Sequence, residues 1–262
     1  VEDIAMQTGA ITSYIDVAQL VLYAFWIFFA GLIYYLHREN KREGYPLESD
    51  RSGGRVTVQG FPAIPEPKTY LLSHGGTATT PNGKRDAREV KARPIAPWPG
   101  APLEPTGDPM ADGVGPAAYA ERADTPDLTY EGEPKIVPMR VATDFWIPEE
   151  DPDPRGKPVL GADGQPGGTV RDIWVDRSEV LIRYYEVEVP VAGGTRRVLL
   201  PANFARVKPD RIEVKALLGQ HFAQVPTTKH PDQVTLLEED RIMGFYGGGM
   251  LYAEPSRAEP WL

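Results

Sequence analysis

Twenty consecutive residues, Val17–Leu36 (VAQLVLYAFWIFFAGLIYYL), contain no charged side chain, and Gln19 is the only strongly polar one. Coiled as a helix they extend about 30 Å, the hydrocarbon thickness of a bilayer. Eleven of the twenty are Leu, Ile, Val or Phe, which together favour insertion by about 3 to 7 kcal/mol. The run predicts one transmembrane helix, over residues 17–37. Glu2, Asp3 and Asp16 precede it, whereas Arg38, Lys41 and Arg42 follow it. Lys and Arg collect on the cytoplasmic side of a span, so residues 1–16 are expected outside and the rest of the chain inside. The acidic leader, with no small-x-small site after the run, argues against a cleaved signal peptide. Ala24, Ala30 and Gly31 would allow close approach of another helix. Composition leaves open both a lone anchor and a helix packed on an integral partner.

The remaining sequence is polar on average. A mean hydropathy of −0.35 excludes a polytopic membrane protein. The absence of cysteine removes a disulfide scaffold, a thiol nucleophile, a Cys-ligated zinc and an iron–sulfur cluster together. Four scattered histidines offer little for a metal centre. A net charge of −9 argues against nucleic acid, whose phosphates require a basic surface.

Two textures follow the span. Tyr45–Pro116 holds twelve of the 27 prolines, which precludes a long helix and disfavours central strands. Phe61, Ile64, Tyr70, Leu71, Leu72, Trp98 and Leu103 in this stretch still need burial, and an extended chain lying on a partner would supply it. Residues 38–134 are therefore read as an extended segment wrapping partner subunits. Residues 135–262 are read as a mostly-β domain. Short apolar runs at Lys157–Leu160, Gly168–Val175, Val180–Val189, Thr195–Leu200, Phe204–Val207 and Arg211–Leu217 are separated by turn signals, as in a small closed barrel or sandwich. Short helices are expected at Ala216–Ala223 and from Pro231 to Met243, the latter stopped by Gly247-Gly248-Gly249.

Catalytic signatures are missing: no Gly-x-Ser-x-Gly, no Walker loop and no His-Glu-x-x-His. His74, His221 and His230 lack triad or metal spacing, and no catalytic residue is assigned. The acids are more informative. Asp172 and Asp176 would flank Trp174 on one face of a regular strand, with Glu179 close behind. Asp127, Glu131 and Glu133 form a second group, and Glu149, Glu150, Asp151 and Asp153 a third. Grouped carboxylates raise one another's pKa and so hold and pass protons near neutral pH; a solvated acidic face is the other reading.

Several motifs then occur in a specific order. They are Tyr23–Leu36 (YAFWIFFAGLIYYL), Arg42–Glu48 (REGYPLE), Pro67–Leu72 (PKTYLL), Pro105–Ala117 (PTGDPMADGVGPA), Lys135–Met139 (KIVPM), Asp172–Glu179 (DIWVDRSE) and Thr235–Asp240 (TLLEED). Together they resemble the H subunit of the purple-bacterial photosynthetic reaction centre, nearly end to end.

The resemblance implies one transmembrane helix and a PRC-barrel-like cytoplasmic domain in the bacterial inner (intracytoplasmic) membrane, with a periplasmic N-terminus. It implies a non-catalytic subunit capping the L and M subunits. Those hold bacteriochlorophyll, bacteriopheophytin, quinones, non-haem iron and a carotenoid; this chain would ligate none of them. A tetrahaem cytochrome subunit, antenna proteins and membrane lipids are further expected neighbours. The implied work is to shield the quinone end and help deliver protons to the secondary quinone. Asp176 and Glu179 match the family's proton route, Arg183 matches an arginine that would pair with Glu179, and Asp127, Glu131 and Glu133 would form the surface entry. Some relatives carry a metal-binding His-x-His there; Glu131-Gly-Glu133 replaces it, so no metal is assigned. Tyr35, Arg38, Lys41 and Arg42 fall where the family's helix meets lipid headgroups. Three alternatives are a PRC-barrel adaptor anchored to another complex, a ribosome-maturation-type barrel, opposed by the span and the acidic charge, and a membrane-anchored enzyme on a β scaffold, for which no catalytic constellation is found.

Overall fold

The computed structural model describes residues 11, 15–49, 54–84 and 86–258. Contacts divide the chain into two units, Val1–Arg85 and Asp86–Leu262. The division falls within the Pro/Gly-rich stretch rather than at its end.

The first unit is built on helix α1, Val17–Asn40. Asp16 caps it, its carboxylate accepting from the Gln19 amide at 2.7 Å. No residue of α1 is buried by the protein, so its apolar surface faces outward on every side, as a bilayer solvent requires. The helix continues past Leu36 through His37 and Arg38, whose basic side chains suit the negative end of its dipole. Beyond it lies a two-stranded antiparallel hairpin, β1 (Lys68–Leu71) and β2 (Thr77–Thr80).

The headgroup reading of the helix end needs correction at two positions. Tyr35 and Arg38 are exposed. Lys41 is only 4% exposed, because its ammonium donates to the carbonyls of Gln59 and Pro62. Arg42 pairs with Glu39 at 2.9 Å and donates to the Glu66 carbonyl. Both cations are turned inward by a returning loop that offers backbone oxygens at short range.

In the second unit, β3 (Ala92–Pro94) and β4 (Leu103–Pro105) form another small hairpin. A single turn of helix, α2 (Pro109–Asp112), follows, capped by Asp108. The main sheet contains β5 (Ile136–Pro138), β6 (Pro158–Leu160), β7 (Pro166–Asp176), β8 (Leu181–Val191), β9 (Gly194–Pro201), β10 (Ala205–Val207) and β11 (Ile212–Val214). Its order is β10-β11-β6-β7-β8-β9, with β5 also on β7. All pairings are antiparallel except β11 with β6, and one turn, Ala202–Phe204, joins the end strands β9 and β10. Val159, Val170, Ile173, Trp174, Val187, Val198, Leu200 and Ile212 fill the interior. The unit is thus the mostly-β barrel-type domain expected, with a helix near the C-terminus.

Alternation along β7 is interrupted. Register shifts occur between Val170 and Asp172, where Arg171 is the extra residue on β7, and between Trp174 and Val175, where Arg183 is the extra residue on β8. Asp172 joins a buried network in which Arg140 donates to Asp172 and Glu186, both at 2.9 Å, and Trp174 Nε1 donates to Glu186 at 3.0 Å. Burial works against the Arg140 cation, but Glu186 and then Asp172 outweigh it and raise its pKa. Asp176, the last residue of β7, is outside this network.

Two helix expectations are corrected. Ala216–Ala223 is not an α-helix but a buried run ending in a 3-10 stretch, Gly219–Gln224. Helix α3, Leu236–Tyr252, starts at a capping box in which Thr235 and Glu238 bond each other's backbone amides. It runs straight through Gly247-Gly248-Gly249. These glycines, with Gly244, form a groove rather than a stop. A Cβ at Gly248 would stand 2.5 Å from the Ala117 Cβ, and one at Gly249 2.5 Å from the Ala216 carbonyl oxygen. Arg257 ties this seam, donating to the carbonyls of Ala216 (3.0 Å) and Gly249 (2.8 Å). Tertiary approach outweighs helix propensity here.

Gly249→Ala tests that ordering. Propensity alone favours alanine by about 1 kcal/mol, whereas overpacking costs about 1–3 kcal/mol. The expected result is a lower unfolding midpoint in denaturant; an unchanged or raised midpoint would show that the groove can open.

Candidate functional site

The second acidic group is carried on a tight hairpin. Thr129 N donates to Glu133 O at 2.8 Å, Gly132 N to Thr129 O, and Lys135 N to Asp127 O at 2.8 Å. The chain then enters β5, which pairs with the end of β7 so that Ile136 lies opposite Asp176. This register delivers Lys135 to the carboxylates at the β7–β8 turn. Its ammonium lies 3.0 Å from Glu179 Oε1, 3.3 Å from Asp176 Oδ2 and 3.8 Å from Asp127 Oδ2. The hydrogen bond that Lys135 donates to Glu179, with the Asp176 charge behind it, outweighs burial and holds Lys135 above the ordinary lysine pKa.

Asp176 has no exposed side-chain surface. Its Oδ1 accepts from the amides of Ser178 and Glu179, both at 2.9 Å, while Oδ2 lacks a hydrogen-bond partner among the described residues despite its proximity to Lys135. Glu179 is about half exposed, at 52%. Val180 completes the turn at φ 53°, a left-handed conformation uncommon for a β-branched residue.

Asp127, Asp176 and Glu179 are therefore brought together, around a lysine to which the sequence reading gave no role. Glu133 lies apart, 4.0 Å from Arg177 and largely exposed, and Glu131 is exposed on the same turn. Among the described residues, no three His, Asp or Glu side chains converge as a metal cage would need. The expected Arg183–Glu179 pair does not form. Arg183 occupies the extra position created where Trp174 pairs with Tyr184 and Val175 with Ile182, and its guanidinium lies 3.7 Å from Glu239 instead.

Glu239 is the functional candidate that sequence reasoning missed. It sits on α3 at i relative to Ile242 (i+3) and Tyr246 (i+7), on the buried face. A carboxylate on that apolar face was the available signal. Tyr184 on β8 donates its hydroxyl proton to Glu239 Oε2 at 2.7 Å. Burial raises the Glu239 pKa above the usual glutamate value, with the Tyr184 hydrogen bond and Arg183 opposing. Burial also raises the Tyr184 phenol, which stays protonated as the donor.

A cavity of about 410 Å³ takes lining residues from both groups, although Asp176 and Glu179 do not line it. Asp127 and Lys135 line it at one side; Arg183, Tyr184, Glu239 and Asp240 also line it. It is a polar chamber bordered by Asp127, the Lys135 ammonium and the buried acid Glu239 with its raised proton affinity.

Residues 9–141, just over half of the chain, match the family described as the photosynthetic reaction centre H-chain N-terminal region. Residues 149–221 match the PRC-barrel domain. The chain belongs to the photosynthetic reaction centre H-chain family. The H-chain match identifies a reaction-centre subunit and replaces the adaptor and ribosome-maturation readings. It makes the isolated apolar helix a membrane anchor, the β domain a PRC barrel, and other reaction-centre subunits the partners of this chain.

The raised Glu239 pKa has a measurable consequence. The native state holds a proton that the unfolded state has released between the ordinary and the raised value, so this group's contribution to stability falls as pH rises through that window. Glu239→Gln keeps the Tyr184 acceptor and removes the titration. Thermal melts from about pH 4 to 8 should show a shallower loss of stability with rising pH in the variant. Parallel pH profiles for variant and parent would place the titration elsewhere.

Proposed function

We propose that this chain caps the L and M subunits on the cytoplasmic side of the bacterial inner membrane, shields the quinone sites from bulk water, and conducts protons toward the secondary quinone. The basic residues after the span support the orientation. The pigments, quinones and iron of the complex belong, in this reading, to L and M, and the chain contributes no catalytic centre of its own. A tetrahaem cytochrome or antenna ring would attach to the same assembly.

The observation that carries the reading is the chamber between Lys135 and Glu239. A quinone that accepts two electrons must also take up two protons, and a shielded quinone needs relay groups within hydrogen-bond or single-water reach of one another. Asp127, with Glu131 and Glu133 on its hairpin, offers the surface entry. Asp176 and Glu179 share the Lys135 ammonium, so a proton arriving on one carboxylate shifts the lysine toward the other. The Oδ2 of buried Asp176, 3.3 Å from the Lys135 ammonium, would accept such a proton or a bridging water. Arg183 stands on the chamber wall beside Glu239 and tunes that acid rather than Glu179. Glu239, with Tyr184, supplies a second store on the same chamber.

Glu179→Gln retains shape and removes one titrating group. In the assembled complex it should slow the proton-coupled second electron transfer roughly ten- to a hundredfold, leaving primary charge separation unchanged. Flash kinetics provide the readout. A second-electron rate equal to that of the parent from about pH 6 to 9 would reduce Glu179 to a structural charge. Asp176→Asn should act in the same direction more weakly, because Glu179 remains on the same lysine.

A further inference from the structure

The loop that returns to the end of α1 leaves two apolar side chains largely exposed. Phe61 is 80% exposed and Val58 75%. The loop is held in place. Lys41 donates to the Gln59 and Pro62 carbonyls on either side of Phe61, and Arg42 donates to the Glu66 carbonyl. Gln59 adds an internal brace, accepting from the Leu47 amide at 2.7 Å and donating to the Val56 carbonyl. Gly60, at φ +75°, makes the turn between them. A lysine that gives up water to bind two carbonyls carries a desolvation cost, so the segment is a built feature of the helix end.

Its depth follows from one contact. The Phe61 ring lies 6.0 Å from the ring of Tyr34. Tyr34 is two residues inside the last apolar position of the span, about 3 Å along the helix axis. A side chain level with Tyr34 stands at the boundary of hydrocarbon and headgroups, where aromatic residues settle. We infer that the Val56–Pro62 loop is a second membrane contact: Phe61 and Val58 insert into the acyl–headgroup boundary of the leaflet at the C-terminal end of α1, with Lys41 as the clamp that sets their depth. The occupant of this face is lipid, in place of the partner subunit that the sequence reading offered for Phe61. The inference rests on reading α1 as a span, and it goes beyond that reading by giving the anchor a second foot.

Because the chain has no cysteine, single spin labels can be placed at Phe61→Cys, Phe28→Cys and Lys84→Cys in the full chain assembled in its complex in lipid nanodiscs. The unsubstituted chain serves as the blank for thiols of other subunits. Power saturation with oxygen and with a water-soluble nickel chelate reports the depth of each label. The expected result is a ratio of oxygen to nickel accessibility at position 61 several-fold above that at position 84 and below that at position 28, the mid-span reference. Lys41→Met, which leaves the loop unclamped, should lower the ratio at position 61 toward that of position 84. A label at 61 that sees nickel as freely as position 84 overturns the inference in favour of a solvated loop. A label at 61 shielded from both relaxants overturns it in favour of burial on a protein subunit. If position 28 does not see oxygen, the span reading fails and the loop reading falls with it.

Discussion

A carboxyl group with no surface exposure needs a partner for each oxygen, and Asp176 is such a group. Two turn amides satisfy one oxygen and the Lys135 ammonium faces the other. Meeting this demand determines much of the surrounding structure. It fixes where β7 ends, folds Ser178 and Glu179 back as a turn, and forces Val180 into a left-handed conformation before β8 can begin. It also requires β5 to pair in the one register that brings Lys135 alongside. The hairpin carrying Asp127, the lip of the polar chamber and the position of Glu179 all depend on that register.

The apolar helix was legible from its length alone, because no charge interrupts twenty residues and nothing in the fold competes for them. The strands were legible for a similar reason: β-branched runs between turn residues leave few other local solutions. What failed were inferences that needed a neighbour. Three consecutive glycines read locally as a helix stop, but the segments around Ala117 and Ala216 approach so closely that glycine is the only residue type that fits. Lys41 and Arg42 read as headgroup ligands until a loop, distant in sequence, supplied carbonyls. Arg183 was expected beside Glu179 only through the family resemblance, and the single-residue register shift in β8 sends it to Glu239.

The same limitation applied to the site. Asp176 and Glu179 stood out because they lie close together in sequence. Their counter-ion comes from 41 residues before Asp176, through strand pairing, and no local pattern announces it. The grouped-carboxylate argument considered only like charges, whereas the fold places an ammonium at their centre. Glu239 has no distinguishing local pattern: it stands in the acidic run Glu238-Glu239-Asp240, where Glu238 closes the capping box. Only the buried-face periodicity with Ile242 and Tyr246 distinguishes it.

These partners separate the acids of the β domain by the work they are able to do. Asp153 and Glu188 each bind an arginine, Arg155 and Arg171, and those hydrogen bonds hold their pKa values below the usual range. Such groups remain ionised throughout the neutral range and serve as fixed charge. Glu239 faces a phenol at 2.7 Å and a guanidinium at 3.7 Å, and burial prevails, raising its proton affinity. Among the described carboxylates with a clear departure from the ordinary value, it is the one moved toward the protonated form. An acidic body of net charge −9 attracts protons to its surface in general. Retaining one inside requires a carboxyl whose burial is only partly compensated, and the Tyr184–Glu239 pair beside the chamber meets that condition.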